Sequence, residues 1–477
     1  MMNRRKFISN LAWVAGGMLA TKLRPLESLL GLAKPVRIKG RVLALGKGLK
    51  DVVVSDGYTV TATDAAGAYE MELHPDAAAV FVSVPSGYAF THENHIARHY
   101  RMVKDIASRK RVDFKLQPLE QDDSRHHFII WADPQVKNKS DVEKMLTQSV
   151  PDMQQHVKQL GGGLIHGITV GDIVWDNHDR FEDYKEAVSK MNIPFFQALG
   201  NHDMDYRQGD DSVSDKTFKS HFGPTYYSFN RGKVHYVVLD DVRYLGRERE
   251  YDGYITENQL KWLEKDLSFV PGDHLVIVCL HIPVHNGVSN RDDLYKLLQP
   301  FKAHIMSGHT HTNLNVIKNG VYEHVHGTVC GAWWTGPICG DGTPPGYGVY
   351  EVNGTDLTWY YKPVGNEQNF QSSIFIQRNE TGAQELVANV WNWDPSWEVV
   401  WQADGQDKGV LPAAEGYDPL AVVLYKGDKL PAGRPFVEPK KTKHIFKTTI
   451  PEGVQVVKVK ATDRFGRSYE SEARVNA

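Results

Sequence analysis

Five short clusters in this chain carry residue types that bind cations: Asp133-Pro134-Gln135, Gly171-Asp172, Gly200-Asn201-His202-Asp203, His281, and Gly308-His309-Thr310-His311. Asp133 and Asp172 offer anionic oxygens, and one carboxylate can bridge two cations while offsetting their mutual repulsion. His281, His309 and His311 offer neutral ring nitrogens. In a His-x-His on an extended segment both imidazoles point to the same side, so they can reach adjacent metals. Asn201 adds an amide oxygen on a tight Gly-Asn turn, and Gly171, Gly200 and Gly308 let the backbone turn sharply beside the donors. One such cluster would mean little. Five in succession, all of metal-ligand type, predict a metal site.

The elements that must position them are legible as well. Each cluster follows an apolar run: 128–132, 164–170, 195–199, 275–280 and 303–306. Helical stretches at 140–160 and 180–191 separate the first three. Apolar strands alternating with helices predict a largely parallel sheet buried on both faces. In such α/β sheets ligands bind beyond the carboxyl ends of the strands, where all five clusters fall. Residues 226–240 read as a hairpin around Asn230-Arg231-Gly232.

On either side of this region the pattern changes. From 36 to 118, short runs broken by Gly and Asp (37–42, 52–57, 58–61, 68–71) predict a small β-sandwich. From 371 to 477 helical periodicity disappears, and 373–376, 386–393, 397–401 and 454–459 read as strands of a second sandwich closed by 461–466. Trp391, Trp393, Trp397 and Trp401 read there as core rather than as a carbohydrate platform.

The order Asp-x-Gln, Gly-Asp, Gly-Asn-His-Asp, His, Gly-His-x-His resembles the calcineurin-like metallophosphoesterase superfamily. The whole chain, with sandwiches on both sides, resembles a bacterial exported subgroup of it. The resemblance implies an α/β fold: an αββα core at 121–365, flanked by an N-terminal sandwich at 36–120, similar to transthyretin-like or carboxypeptidase-regulatory modules, and a C-terminal one at 366–477. It implies two divalent or mixed-valence metal ions, Mn, Fe or Zn. Metal 1 would take Asp133, Gln135 and His311, metal 2 would take Asn201, His281 and His309, and Asp172 would bridge them. The family's usual first block is Asp-x-His. Gln135 in place of His is a harder donor and would tilt its site towards Mn, Fe or Mg over Zn. The resemblance further implies hydrolysis of phosphomonoesters or phosphodiesters by a hydroxide bridging the two metals. His202 would stabilise the transition state or protonate the leaving oxygen. Some relatives hold that His with an acid three residues after the bridging Asp. Here Trp175 stands at that position and Asp176 follows, which leaves Asp176 or Asp203 to orient His202.

After the last ligands, residues 327–336 form a Gly-rich loop with paired aromatics, Trp333 and Trp334. These would rim the cleft and stack on substrate, or pack against a flanking sandwich. His285, four positions after His281, reads as structural, as do His221, His235, His274, His304 and His444.

The bulk numbers narrow the partners. A net charge of −3 with no charge run gives no sign of a nucleic-acid or anionic-membrane partner, so a small-molecule or head-group phosphoester is the expected substrate. Three cysteines cannot build a disulfide framework, although Cys330 and Cys339 could pair or stay free. Residues 1–35 read as a leader: Arg4-Arg5 precedes an apolar stretch at 11–20 that is too short to span a bilayer, resembling a twin-arginine export signal. No Cys follows to take a lipid. This predicts a periplasmic or extracellular protein without a transmembrane segment in its mature form. The alternative from another class is a non-catalytic, metal-stabilised protein that binds cell wall or glycan.

Overall fold

The computed structural model describes residues 36–106 and 110–475; the expected leader lies outside the described residues. Its centre is two face-to-face sheets. The first has seven strands in the order Asp356–Pro363, Gly346–Asn353, Arg125–Trp131, Leu164–Val170, Phe195–Ala198, Ile96–Ala97, His92–Glu93. The second has six: Tyr227–Arg231, Val234–Val238, Leu275–Cys279, Lys302–Ser307, Val321–Val325, Leu314–Lys318. Within each sheet the cluster-bearing strands run parallel. Phe128, Ile129, Ile130 and Trp131 are all fully buried, which is why the run shows no polar alternation. Phe196 stacks on Phe229 with centroids 3.8 Å apart, and Phe128 meets Tyr236 edge-on at 5.4 Å, so aromatic pairs join the two sheets.

The expected helices are present. The first runs through Lys139–Lys144, a wide turn at Met145–Ser149, and Val150–Gln159. Pro151 lies just past that turn and has no N–H to give to the preceding turn, so a local departure from regular α geometry belongs there. The second helix, Phe181–Met191, ends at Asn192 in the left-handed conformation, φ 61°. The hairpin pairs Arg231 with Val234, so its turn is Gly232-Lys233, one residue later than the sequence suggests.

Both flanks are two-sheet β structures, one built on Val36–Ala44 and Val53–Ser55, the other on Gln384–Asn389 and Val456–Thr462. Two features depart from the sequence reading. The N-terminal segment lends His92–Glu93 and Ile96–Ala97 to the core sheet, pairing Ile96 with Phe195. The C-terminal flank contains a helix, Pro419–Lys426, capped by the Asp418 side chain and started by Pro419. Trp391, Trp397 and Trp401 are buried there. Among the described residues no helix is long and apolar enough to cross a membrane.

Candidate metal centre

The carboxyl ends of the two sheets bring the donors together. Asp133, Asp172 and Asn201 follow strands of the first sheet, and His281, His309 and His311 follow strands of the second. Ligand atoms of Asp172, His281 and His309 lie within 4.8 Å of one another, a group that could hold a metal ion. The His281 ring is oriented by a hydrogen bond from Nδ1 to the Val170 carbonyl, 2.9 Å, which turns Nε2 towards the other donors. Around that Nε2 stand Asn201 Oδ1 at 3.1 Å, His309 Nδ1 at 3.1 Å and Asp172 Oδ1 at 3.2 Å. The other side is looser. His311 Nε2 is 3.5 Å from Asp133 Oδ1, and Gln135 donates its Nε2–H to Asp172 Oδ2 at 2.7 Å. Gln135 Oε1 is buried with no hydrogen-bond partner, an orphaned acceptor that a cation would satisfy. This donor set, carboxylate, amide oxygen and imidazole, fits a divalent metal ion.

Backbone strain concentrates at the same place. Asp133, Gln135, Asp172, Asp176, His309 and His311 all have positive φ, between 43° and 66°. For non-glycine residues this is an uncommon conformation, and it persists only where the surroundings over-determine it. Close approach explains two glycines: a Cβ on Gly200 would lie 2.3 Å from Asp172 Oδ1, and one on Gly308 2.4 Å from Asp133 Oδ2.

The electrostatics match an assembly short of positive charge. Burial pushes Asp133 up to about 8, and Asp172 beside it adds to the effect. Burial acts on Asp172 in the same sense, but His281 and His202 outweigh it and hold that carboxylate well below its ordinary range. Two buried carboxylates in one pocket want cations.

His202 presents a second kind of chemistry. Its Nδ1 lies 2.9 Å from Asp176 Oδ1, while its backbone N–H donates to Asp172 Oδ1 at 2.9 Å. Burial disfavours the charged ring, but Asp172 and the bond to Asp176 prevail and raise its pKa. The open choice of orienting acid is thereby resolved, because Asp203 faces elsewhere. Its carboxylate accepts the backbone N–H groups of Ile173 (3.1 Å), Val174 (3.0 Å) and Gly200 (2.9 Å), tying two ligand loops together.

The paired tryptophans also part company. Trp333 is half-buried and stacks on His311, centroids 4.1 Å apart and planes at 19°. Trp334 is buried at 7% exposure and donates its indole N–H to the Pro134 carbonyl at 2.7 Å, a packed place rather than an open one. Cys330 and Cys339 are free thiols that both contact the Thr328 hydroxyl. His285 bonds to Glu323, away from the donors.

Sequence reasoning missed several supports. Asp241 is fully buried and accepts the backbone N–H groups of His281 and Ile282; the only sequence signal was a polar Asp240-Asp241 pair after an apolar run. Tyr206 donates to the Asn201 carbonyl, and Arg249 pairs with Asp176. Neither had a local signature.

Residues 126–313 match the calcineurin-like phosphoesterase family, 36–119 match the N-terminal region described for calcineurin-like phosphoesterases, and 323–469 match their C-terminal region. The chain belongs to the calcineurin-like phosphoesterases. Its core has the αββα architecture, flanked by β-rich regions. A probable glycerophosphodiester phosphodiesterase GpdQ from Arcobacter nitrofigilis is 27% identical over 164 residues, covering 32% of this chain and 54% of that protein. The match thus spans about half the length of that relative. Among solved structures, a purple acid phosphatase from yellow lupin seeds is similar at 13% identity and TM-score 0.38, over 66% of this chain and 67% of that one. A 5'-nucleotidase assignment from Staphylococcus aureus follows at 12% identity and TM-score 0.33, over 54% and 56%.

Proposed function

We propose that this calcineurin-like phosphoesterase is an exported hydrolase of small-molecule phosphoesters, phosphodiesters foremost, working with two metal ions. One would be held by Asp133, Gln135 and His311 and the other by Asn201, His281 and His309, with Asp172 shared. The observation that carries the dinuclear reading is the pair of donor groups on either side of Asp172, one of which includes the orphaned Gln135 Oε1.

Bound divalent cations would supply Lewis acidity towards the phosphoryl oxygens and lower the pKa of water. The chain's own residues do the rest. Asp133 and Asp172 hold the carboxylate charge that keeps cations in place, and His281 is locked in one tautomer by the Val170 carbonyl. His202, with Nδ1 engaged by Asp176, keeps Nε2 for the leaving oxygen and can stabilise developing charge or deliver a proton there. Arg249, paired with the other oxygen of Asp176, fixes that carboxylate in turn. Trp333 forms one wall beside His311.

The preference for a small diester draws on the relative from Arcobacter nitrofigilis, whose name describes a phosphodiesterase. Export draws on the Arg4-Arg5 pair and the apolar stretch after it. The decisive experiment reconstitutes the purified protein with Mn, Fe, Zn or Mg and assays bis-nitrophenyl phosphate and nitrophenyl phosphate. Metal-dependent turnover, faster on the diester and lost in Asn201→Ala and His202→Ala, supports the reading. No turnover with any metal would favour the metal-stabilised binding protein. Cell fractionation tests export: a wholly cytoplasmic mature chain contradicts it.

A further inference from the structure

At the opposite end of the core from the candidate metal centre, the amino-terminal ends of the strands meet the N-terminal flank around a cavity of about 360 Å³. That volume lies within the usual range for small-molecule sites, roughly 300–1,000 Å³. Along the Leu164–Val170 strand, His166 is six residues before Asp172, about 20 Å at ~3.3 Å per residue, so the two sites are separate.

The cavity walls are mostly apolar, with His92 and Asn192 also in the lining. Phe90 and Leu119 come from the N-terminal flank, and Val157, Ile165 and Ile193 from the core. At the base sits Arg231, 4% exposed, whose guanidinium Nε and Nη1 have no hydrogen-bond partner. His166, 1% exposed, lines the same space, and its Nε2 also has none. The nearest acid forms a long ion pair with the arginine but no hydrogen bond. Asp123 Oδ2 is 4.0 Å from Nη1, and its carboxylate already accepts the Ser86 hydroxyl at 2.9 Å and the Gly87 N–H at 2.7 Å. The Phe90 ring, 4.0 Å from Cζ, compensates the charge only in part. A buried guanidinium with unbonded N–H groups beside an open space is a costly arrangement unless an acceptor enters.

We propose that this cavity is a binding site for a small monocarboxylate with an apolar body, its carboxylate gripped by Arg231 and His166. The chemistry selects this class. A guanidinium donates strong charge-assisted N–H bonds to a carboxylate, and a carboxylate brings only one negative charge. Asp123 already shares the arginine's charge, so a phosphate dianion would add a second uncompensated charge, and burial keeps His166 neutral, far below its ordinary range. The ligand would touch both the N-terminal flank and the core, so its occupancy would stabilise their junction.

The test uses the full chain and two pairs of isosteres, phenylacetate with phenylacetamide and hexanoate with hexanamide. These are measured by isothermal titration calorimetry and by the thermal unfolding midpoint. At least one carboxylate should bind saturably and raise the midpoint, while its amide should bind at least about tenfold more weakly, the loss expected for a charge-assisted contact. Arg231→Gln should abolish binding. Because a buried arginine variant could misfold, Leu119→Trp, which fills the half-buried rim, should independently abolish binding and leave phosphoester hydrolysis unchanged. Absence of saturable binding by both carboxylates, equal binding of the amides, or full binding by Leu119→Trp would overturn the proposal.

Discussion

The Lys440 ammonium donates to the carbonyl of Thr310, the residue between His309 and His311, across 130 positions of sequence. The C-terminal flank therefore holds the His-x-His turn from outside. Around it, the Lys440 N–H bonds to the Gly340 carbonyl, and Tyr425 of the Pro419–Lys426 helix donates to the Ile338 carbonyl. Both contacts brace the loop that carries Trp333.

Lys440→Met should accordingly weaken metal retention without removing any ligand. Outer contacts of this kind are worth roughly 10–100-fold in metal affinity, and about tenfold is expected here because the contact is to backbone. Competition against a chelator measures it. An unchanged affinity would mean that the C-terminal flank is mere decoration on the site.

Asp176 and Asp203 predict opposite phenotypes. Asp176→Asn leaves the fold intact but loosens His202, so kcat should fall by roughly 10–100-fold with metal stoichiometry unchanged. Asp203→Asn replaces one of the two oxygens that accept three backbone N–H groups with an NH2 that cannot accept, so unfolding free energy should drop by about 2–4 kcal/mol. Denaturant unfolding alongside steady-state kinetics separates them. If Asp203→Asn is as stable as wild type, the loop-holding role is wrong.

The two tryptophans divide in the same manner. Trp333→Ala should alter KM for bulky esters while stability changes little. Trp334→Phe should cost about 1 kcal/mol through its lost bond to Pro134 and leave KM alone. Kinetics paired with urea titration checks this, and a KM change only in Trp334→Phe would reverse the assignment.

How far the sequence reached can be judged from these same residues. The runs at 128–132 and 164–170 were legible because strands buried on both faces show no polar alternation, and the donors at their tips because ligand chemistry restricts residue type. Trp333 and Trp334 were indistinguishable, because which one turns inward depends on the Pro134 carbonyl, 200 positions away. The roles of Asp176 and Asp203 could be told apart only once the loops were placed in space. The helix Pro419–Lys426 was hidden by its apolar composition, PLAVVLYK, which reads equally well as a buried strand, although Asp418-Pro419 was a usable start signal. His92–Glu93 and Ile96–Ala97 were too short for any periodicity to show.

Acid stability follows from the buried histidines. Burial holds His99, His126 and His304 down to about 3 and His326 down to about 4. Their folded pKa values lie below the unfolded value near ~6.5, so above that pH neither state is protonated and stability is complete. As pH falls from there towards 4, the unfolded chain takes up protons that the folded chain refuses. Stability then drops by up to ~1.4 kcal/mol per pH unit per ring. Unfolding at pH 7.5, 6 and 5 should show this decline. Neither ring nitrogen of His99 has a partner, and aromatic rings surround it, so His99→Phe should flatten the decline. An identical slope in the variant would contradict the assignment.

Anomalous diffraction from crystals grown with Mn tests the two-metal reading most directly. Two peaks roughly 3.5–4 Å apart are expected, the separation typical of paired metals, with Asp172 between them and Gln135 Oε1 turned onto the one beside His311. A single peak at Asp172, His281 and His309, or none with Gln135 Oε1 still unpartnered, would contradict it.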